Sequence, residues 1–398
     1  MKGITPYLPL DPKLALPLKD KAIEVYKSSA RLEASVPPGL KSAVTHLLRF
    51  VNSYYSNKIE GNNTKPADVI RAQHANEEEL DPAIRDDHKE IISHLIAQES
   101  LALNKPSANE VSSAAFIQWI HELFFKDLSE QARTLTLDST GEAFLVEAGK
   151  FREQRVIVGK HIPPGEAELT KSMDIFHRAY RLDWIHGDER LLAAAASHHR
   201  LLWIHPFLDG NGRVTRLFTD VYMQLAGVDG YGLWSVSRGF SRTIEKYKAA
   251  LAAADEPRRG DVDGRGQLSD KGMLAFQHYF LDTCLEQIDY LSSLLRMSDF
   301  DRRLEFYVSQ RVAGVGVDVD GKPLPKWRPE AISLFRAVIT KEGVLRTEVP
   351  TITGLGETVS RNLVKQLINE HWLVGEEKQP LRLEIPFEGI SSLFPHLW

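Results

Sequence analysis

Apolar residues recur at three- and four-residue steps along most of this chain, and β-branched runs are few, which confines it to a mainly helical fold. From Lys41 onward, Val44, Leu47, Leu48, Val51 and Tyr55 mark one apolar face. That helix is expected to end at Glu60–Asn63, where Gly61 and two asparagines tolerate left-handed backbone. A second helix is expected over Pro82–Leu101, with Asp81 as N-cap and the proline at its first position. A third is expected over Ser107–Phe125, opened by the capping-box string "SANE". The periodicity then breaks at "GKFREQRVIVGKHIPPGE" (149–166). Its Val156-Ile157-Val158 core, Gly159-Lys160 and two prolines predict a short hairpin or extended flap.

Helical spacing resumes from Glu166 and runs to Ile204. After a short interruption, Val214, Leu217, Phe218, Val221, Tyr222 and Leu225 form a stripe closed by Gly227. Helices over Ser237–Ala254 and over "LAFQHYFLDTCLEQIDYLSSLLRM" flank a polar loop, Asp255–Gln267. Glycines and prolines make Gly314–Trp327 a linker. The remainder orders helix, "LRTEVPTITGLGETVSRNLVKQLINEHWLV", then strand–turn–strand, "EEKQPLRLEIPF".

Length and charge bound the rest. A chain of 398 residues suggests about two or three domains. With 43% hydrophobic and 26% charged residues it has the composition of a globular protein, and its net charge of -5 gives no general attraction to nucleic acid or anionic membrane. Cys284 is the only cysteine, which excludes an intrachain disulfide and a cysteine metal site. The N-terminus lacks the apolar core of a signal peptide, and no apolar run approaches the ~18 residues of a membrane span. The expectation is a cytoplasmic protein without membrane contact.

The segment with the most chemistry is "HPFLDGNGRVTR", His205 to Arg216. The apolar stripe that begins at Val214 must face the core, so Arg213 and Arg216, at i and i+3, project away from it. The helix's first turn presents unpaired amides and the positive end of its dipole. Gly210 and Gly212 carry no Cβ and let a ligand approach the backbone. Amides backed by two guanidiniums suit a polyphosphate. Asp209 is placed to hold a hydrated Mg²⁺ against phosphate oxygens. His205, with a pKa near neutrality, is placed to take a proton from an attacking hydroxyl.

The complete string resembles the signature of the Fic protein family, H-x-F-x-[DE]-G-N-G-R-x-x-R, at every specified position. The resemblance extends to the flap, to the entry helix in "AASHHRLLWIHPF" and to "RTIEKYKAAL" downstream, covering about Val44 to Leu295. It implies a Fic-type helical bundle with a β-hairpin flap, and an activity that moves AMP from ATP to a protein Ser, Thr or Tyr hydroxyl with release of pyrophosphate. By resemblance His205 is the general base and Asp209 the Mg²⁺ ligand. Phe207, Gly210, Asn211, Gly212, Arg213, Arg216 and Tyr247 are nucleotide-binding, with Asn211 and the two glycine amides as the anion hole and Tyr247 near the adenine. "SNKIEG" resembles the family's inhibitory motif, [ST]-x-x-x-E-[GN], which assigns Ser56, Glu60 and Gly61 to a helix whose glutamate pairs with Arg216 and blocks the γ-phosphate. Glu60 would stand at a helix C-terminus, where a negative charge opposes the dipole and calls for a compensating cation.

The expected organisation is an N-terminal helical region carrying the inhibitory helix (1–105), a Fic core with following helices (106–310), a linker (311–328) and a winged helix-turn-helix-like α+β module (329–398). From Arg328 to Trp398 there are eight Lys+Arg and nine Asp+Glu, without the basic footprint of a strong DNA binder. Arg361 and Lys365 could still touch phosphates, so this module is assigned weak DNA contact, protein contact or a homodimer interface. A protein target is expected on the flap near 155–163, around Lys160 and His161. His198 and His199 are expected as packed histidines rather than a metal triad with His205, and Cys284 as a buried core residue. The alternatives are a Fic-type phosphotransferase or an AMP-removing enzyme, and a nucleotide-sensing DNA-binding regulator.

Overall fold

The structure, a computed structural model, describes residues 8, 11–65, 68–69, 82–136, 141–264, 266–318 and 321–398. It is mainly helical. The first helix, α1 (Pro12–Ser35), is capped by Asp11 and buries Leu18, Ala22, Val25 and Leu32 against later helices. Then comes α2 (Pro38–Ile59), the keel of the molecule. Every residue from Val51 to Asn57 is buried, so nearly two turns are surrounded on all sides. Its start abuts the end of a distant helix (331–340): a Cβ at Gly39 would collide with the Val338 carbonyl and meet that of Lys341 at 2.5 Å. Gly39→Ala is therefore expected to destabilise the protein by about 1–3 kcal/mol, read as a lower denaturation midpoint.

Next are α3 (Pro82–Leu103) and α4 (Ala114–Phe125). Asp81 lies outside the described residues. The helix expected from Ser107 begins seven residues later. The "SANE" box does form, with Ser107 N–H donating to Glu110 at 3.0 Å and Glu110 N–H to Ser107 Oγ at 3.3 Å. It closes only a turn, because Ser112 Oγ donates to the His177 carbonyl at 3.2 Å, and Ser113 caps the true start through Phe116 N–H. A hairpin the sequence did not announce follows, β1 (Thr134–Thr136) with β2 (Ala143–Leu145). The flap itself is largely extended, with one bridge between Val158 and His161 around Gly159, whose φ is 60°.

Two antiparallel helices then carry the site, α6 (Glu189–Ile204) and α7 (Asn211–Leu225), with α5 (Glu166–Tyr180) packed on α6. The expected helix over Ser237–Ala254 is broken into α8 (Val236–Arg242) and α9 (Ile244–Asp255) at Thr243. Thr243 leaves the helical region at φ −119°, and its Oγ1 is held by Gly239 O and Tyr279 OH. The long helix is α10 (Asp270–Leu294); a break at Leu295–Arg296 starts α11 (Met297–Ala313). Cys284 is buried in α10.

Residues 314–318 and 321–327, read as part of a linker, fold back on α11. Leu324 N–H bonds Gly316 O, Arg311 donates to Pro325 O, and Trp327 is 3% exposed. The last segment comprises α12 (Ala331–Thr340), a 3₁₀ turn, α13 (Val349–Thr353), α14 (Glu357–Asn369), the hairpin of β3 (Leu373–Val374) with β4 (Arg382–Leu383), and α15 (Phe387–Leu393). Trp327, Phe335 and Tyr307 pack on Trp372 at 5.3, 5.4 and 4.9 Å between ring centres. The tail reaches back to α2, where Tyr55 OH donates to Leu397 O at 3.2 Å. Among the described residues no helix is long and apolar enough to cross a membrane.

Candidate active site

The site is the loop between α6 and α7. His205 caps α6 in the left-handed region, φ 51° and ψ 61°, and its N–H closes the helix on Leu201 O at 3.1 Å. That conformation is uncommon for a side chain with Cβ, and strain of this kind concentrates at functional sites. The residue is half-buried. Burial pushes its pKa down and the charge of Arg152 pushes further, to about 4, so the imidazole is neutral at pH 7, the form in which a base must start.

The loop is fastened from within. Asn211 Nδ2 donates to Phe207 O at 2.8 Å, and its Oδ1 accepts from Phe207 N–H at 2.9 Å. Both polar ends of that amide are thus committed to the turn, and what Asn211 can offer an anion is its backbone N–H. Phe207 is fully buried with its ring stacked at 4.0 Å on His121, which also stacks on Phe125 at 4.3 Å. It anchors the loop rather than facing a ligand. Gly210 has φ 76°, and a Cβ there would run into the Phe125 ring, so glycine is required twice over.

No side chain of its own loop caps α7. Its first turn instead faces Glu60, the C-cap residue of α2: a Cβ on Gly212 would collide with Glu60 Oε1. The same carboxylate accepts from Arg216 Nη2 at 2.6 Å. Arg216, 1% exposed, also donates to Ser56 Oγ and Ser56 O, each at 2.9 Å. Ser56 is buried, whereas Gly61, with φ 103°, has open space around it. Burial pushes the Glu60 carboxyl up, but Arg216, Arg213 and Lys248 outweigh it and hold the pKa below its usual 4.5. The anion cradle therefore holds a carboxylate, and the sequence expectation of a cation compensating Glu60 is met by Arg216.

Arg213 is engaged by a residue that sequence reasoning missed. Its Nη1 donates to Glu90 of α3 at 2.5 Å and its Nη2 reaches Asp209 at 3.3 Å, while the guanidinium lies 4.7 Å from the Phe124 ring centre. Asp209 also accepts from Gly210 N–H at 2.6 Å. Its carboxylate is 38% exposed, a single hard oxygen donor. Mg²⁺ commonly takes one or two carboxylates and completes its shell with water and substrate phosphates, so this donor set fits it. Among the described residues no cluster of three His, Cys, Asp or Glu offers a metal site built by protein alone.

Arg152 is the second residue missed. It is 4% exposed and spends its guanidinium on carbonyls: His205 O at 2.7 Å, Gln154 O at 2.8 Å and Pro164 O at 2.6 Å. It thereby clamps both ends of the flap to the residue expected to act as base. Arg152→Ala leaves three carbonyls, that of Pro164 buried and the others part-buried, short of a donor and is expected to cost about 1–3 kcal/mol, with flap and His205 losing register together. Protease cleavage within 155–163 and the denaturation midpoint measure both.

Tyr247, expected near the adenine, lies under the site, its hydroxyl close enough to Arg216 and Glu60 to feel both charges. It is 2% exposed, stacked on Phe240 at 4.4 Å, and its hydroxyl bonds His198 Nε2 at 2.7 Å. A buried phenol needs a partner and finds one in the core. His198 Nδ1 bonds Thr219 Oγ1 at 2.7 Å, and His199 pairs with Asp255 at 3.0 Å, so both histidines serve packing. His161 bonds Trp203 O at 2.7 Å and ties the flap tip to α6.

Residues 111–223 match the model of the Fic/DOC family. Among curated proteins, the chain is 32% identical over 201 residues to "Protein adenylyltransferase Fic" of Nematostella vectensis, covering 48% of this chain and 42% of that one. It is 33% identical over 181 residues to the protein of the same name from Drosophila erecta, covering 45% and 32%. The chain thus spans less than half the length of these relatives. A Fic family protein from Desulfovibrio desulfuricans G20 shares the fold across 96% of this chain and 98% of its own, with TM-score 0.54 and 17% identity. Residues 111–223 of this chain are accordingly a Fic/DOC-family domain.

Proposed function

We propose that the protein transfers AMP from ATP to a hydroxyl of a protein side chain, releasing pyrophosphate, and that Glu60 holds this activity off. The observation that carries the reading is the carboxylate over Gly212, ion-paired to Arg216 where a terminal phosphate would sit. The target's hydroxyl oxygen bonds the α-phosphorus, its proton passes to the neutral imidazole of His205, and the bond from that phosphorus to the oxygen bridging to the β-phosphate breaks. Amides of the first turn of α7, with Arg213 and Arg216, hold the departing phosphates. Mg²⁺ held by Asp209 would neutralise charge on those oxygens. The target docks on the flap, where Ile157 and Ile162 are each 72% exposed.

The test uses Glu60→Gly protein with Mg²⁺ and ATP carrying label at either the α- or the γ-phosphate. Protein-bound α-label that disappears with His205→Ala supports the reading. Bound γ-label would mean phosphate transfer instead, and label loss from an already modified target would mean AMP removal. Residues 329–398 are read as a winged-helix-like module, on the order of α12, α13 and α14 before the β3–β4 hairpin. Arg361 and Lys365 are exposed on α14 with Arg361 already paired to Glu357 at 3.1 Å, which favours protein over DNA as its partner. A salt-dependent DNA shift with no label transfer would reverse that preference. A cytoplasmic setting, with ATP and Mg²⁺ at hand, goes with this reading.

A further inference from the structure

Behind the inhibitory contact lies a cavity of about 260 Å³ between α2, the end of α3, α7 and the loop before α8. Its lining includes Asp220, one helical turn beyond Arg216 on α7, and Asn52, one turn before Ser56 on α2. The two helices are therefore zipped by successive polar rungs. Asn52 Nδ2 donates to Asp220 at 2.6 Å, and a turn further along Arg216 bonds Ser56 and Glu60.

Asp220 is 9% exposed, and its partners are neutral: the Asn52 amide and the Tyr231 hydroxyl, the latter at 2.5 Å. Among the described residues no lysine or arginine pairs with it. A buried carboxylate ordinarily has a cation beside it. Burial pushes its pKa up to about 6 even though both hydrogen bonds, and behind them the charge of Arg216 one turn away, pull the other way. The opposite sign stands at the exposed side of the cavity. Lys105 is exposed with no ion-pair partner among the described residues, and Arg49 reaches Glu99 only at 3.9 Å. Leu48, Leu101 and Val221 make the walls between.

We propose that this cavity binds a small zwitterion of the amino-acid class, its ammonium on Asp220, its carboxylate at Arg49 and Lys105 and its apolar body on the leucine walls, and that the occupant relieves Glu60. A lone polyamine would be repelled at the mouth, and a lone anion would meet Asp220. The volume, just under the ~300 Å³ where pockets for drug-sized ligands begin, restricts the class to small metabolites. An ammonium on Asp220 displaces Asn52, opens the rung next to Ser56 and so weakens the hold of α2's last turn on Arg216. The regulatory half rests on the proposed function; the binding half does not.

The experiment has two arms on the full chain. In the first, the twenty amino acids are screened singly for a saturable rise in Tm, and the best is titrated by calorimetry. At least one is expected to bind wild type and to lose at least tenfold in affinity in Asp220→Asn and in Leu101→Trp, which fills the cavity without touching the charge. No binder among the twenty, or a binder unaffected by both variants, overturns the proposal whatever the enzyme does. In the second, the same amino acid is expected to raise AMP transfer by wild type about fivefold or more and to leave Glu60→Gly unchanged. Binding without that rise overturns the coupling. Absence of transfer in Glu60→Gly would instead indict the proposed function and leave the first arm standing.

Discussion

Glu60→Gly is expected to transfer AMP about 10- to 100-fold faster than wild type, read as protein-bound α-label per unit time. The argument is one of occupancy. The Glu60 carboxylate lies over Gly212 and is bonded to Arg216, so a terminal phosphate cannot take the same amides and guanidinium. Removing it leaves Arg216 with both its bonds to Ser56. Glu60 is itself 36% exposed but Arg216 only 1%, so the lost pair should cost about 1–3 kcal/mol and the variant should remain folded. Equal rates for variant and wild type would remove the case for autoinhibition. The pH dependence has a definite sign. A carboxyl held below 4.5 keeps its charge, and hence its grip, at every pH above that value, and the contact is lost only as pH falls through the lowered pKa. Wild type should therefore stay inhibited from pH 8 down to about 5, and mild acid should not mimic the glycine variant.

His205→Ala, introduced beside Glu60→Gly, is expected to lower transfer by about 10²–10⁴-fold while nucleotide binding persists. Loss of binding as well as rate would assign His205 to the loop's structure instead. A pH profile separates base from bystander. With its pKa at about 4, His205 is unprotonated through the neutral range, so the rate of Glu60→Gly should be flat from pH 8 to about 5. An acid limb near 6.5, where a solvated histidine titrates, would contradict the burial and Arg152 proximity that set this value. The same histidine bears on stability. Its folded pKa is depressed, so its contribution is complete above 6.5 and drains away as pH falls toward 4. His94 and His121, each pushed by burial to about 3, act in the same direction, and the denaturation midpoint should drop through this window.

What the sequence revealed and what it withheld divide along one physical line. Features set by neighbours along the chain were legible. The stripe beginning at Val214 placed α7, and the string from His205 to Arg216 carried its own loop, because Asn211 closes it on Phe207 four residues away. The motif at Ser56–Glu60 was legible only through its family resemblance, because the Arg216 it meets lies 156 positions from Glu60. Features set by contacts across the fold were not. Glu90 and Arg152 reach Arg213 and His205 over 123 and 53 positions, and nothing local marks either one. Tyr247 matched a family position, but the stacking of its ring on Phe240, seven residues back, and its nearness to Arg216 were not legible. The "SANE" box satisfied a local rule and still failed to start a helix, since Ser112 and His177 fixed the chain 65 positions apart. Thr243 broke an unbroken periodicity through a bond to Tyr279.

The burial of α2 on every side from Val51 to Asn57 limits how the proposed activity could be turned on. A rod gripped that tightly along its middle cannot swing out to uncover Arg216 without dissolving the core. What remains is to unravel the tip beyond Asn57, into the room that surrounds Gly61. Activation would then resemble a blown fuse more than an opened door: a few backbone bonds broken at one extremity, with the rest of the rod unmoved.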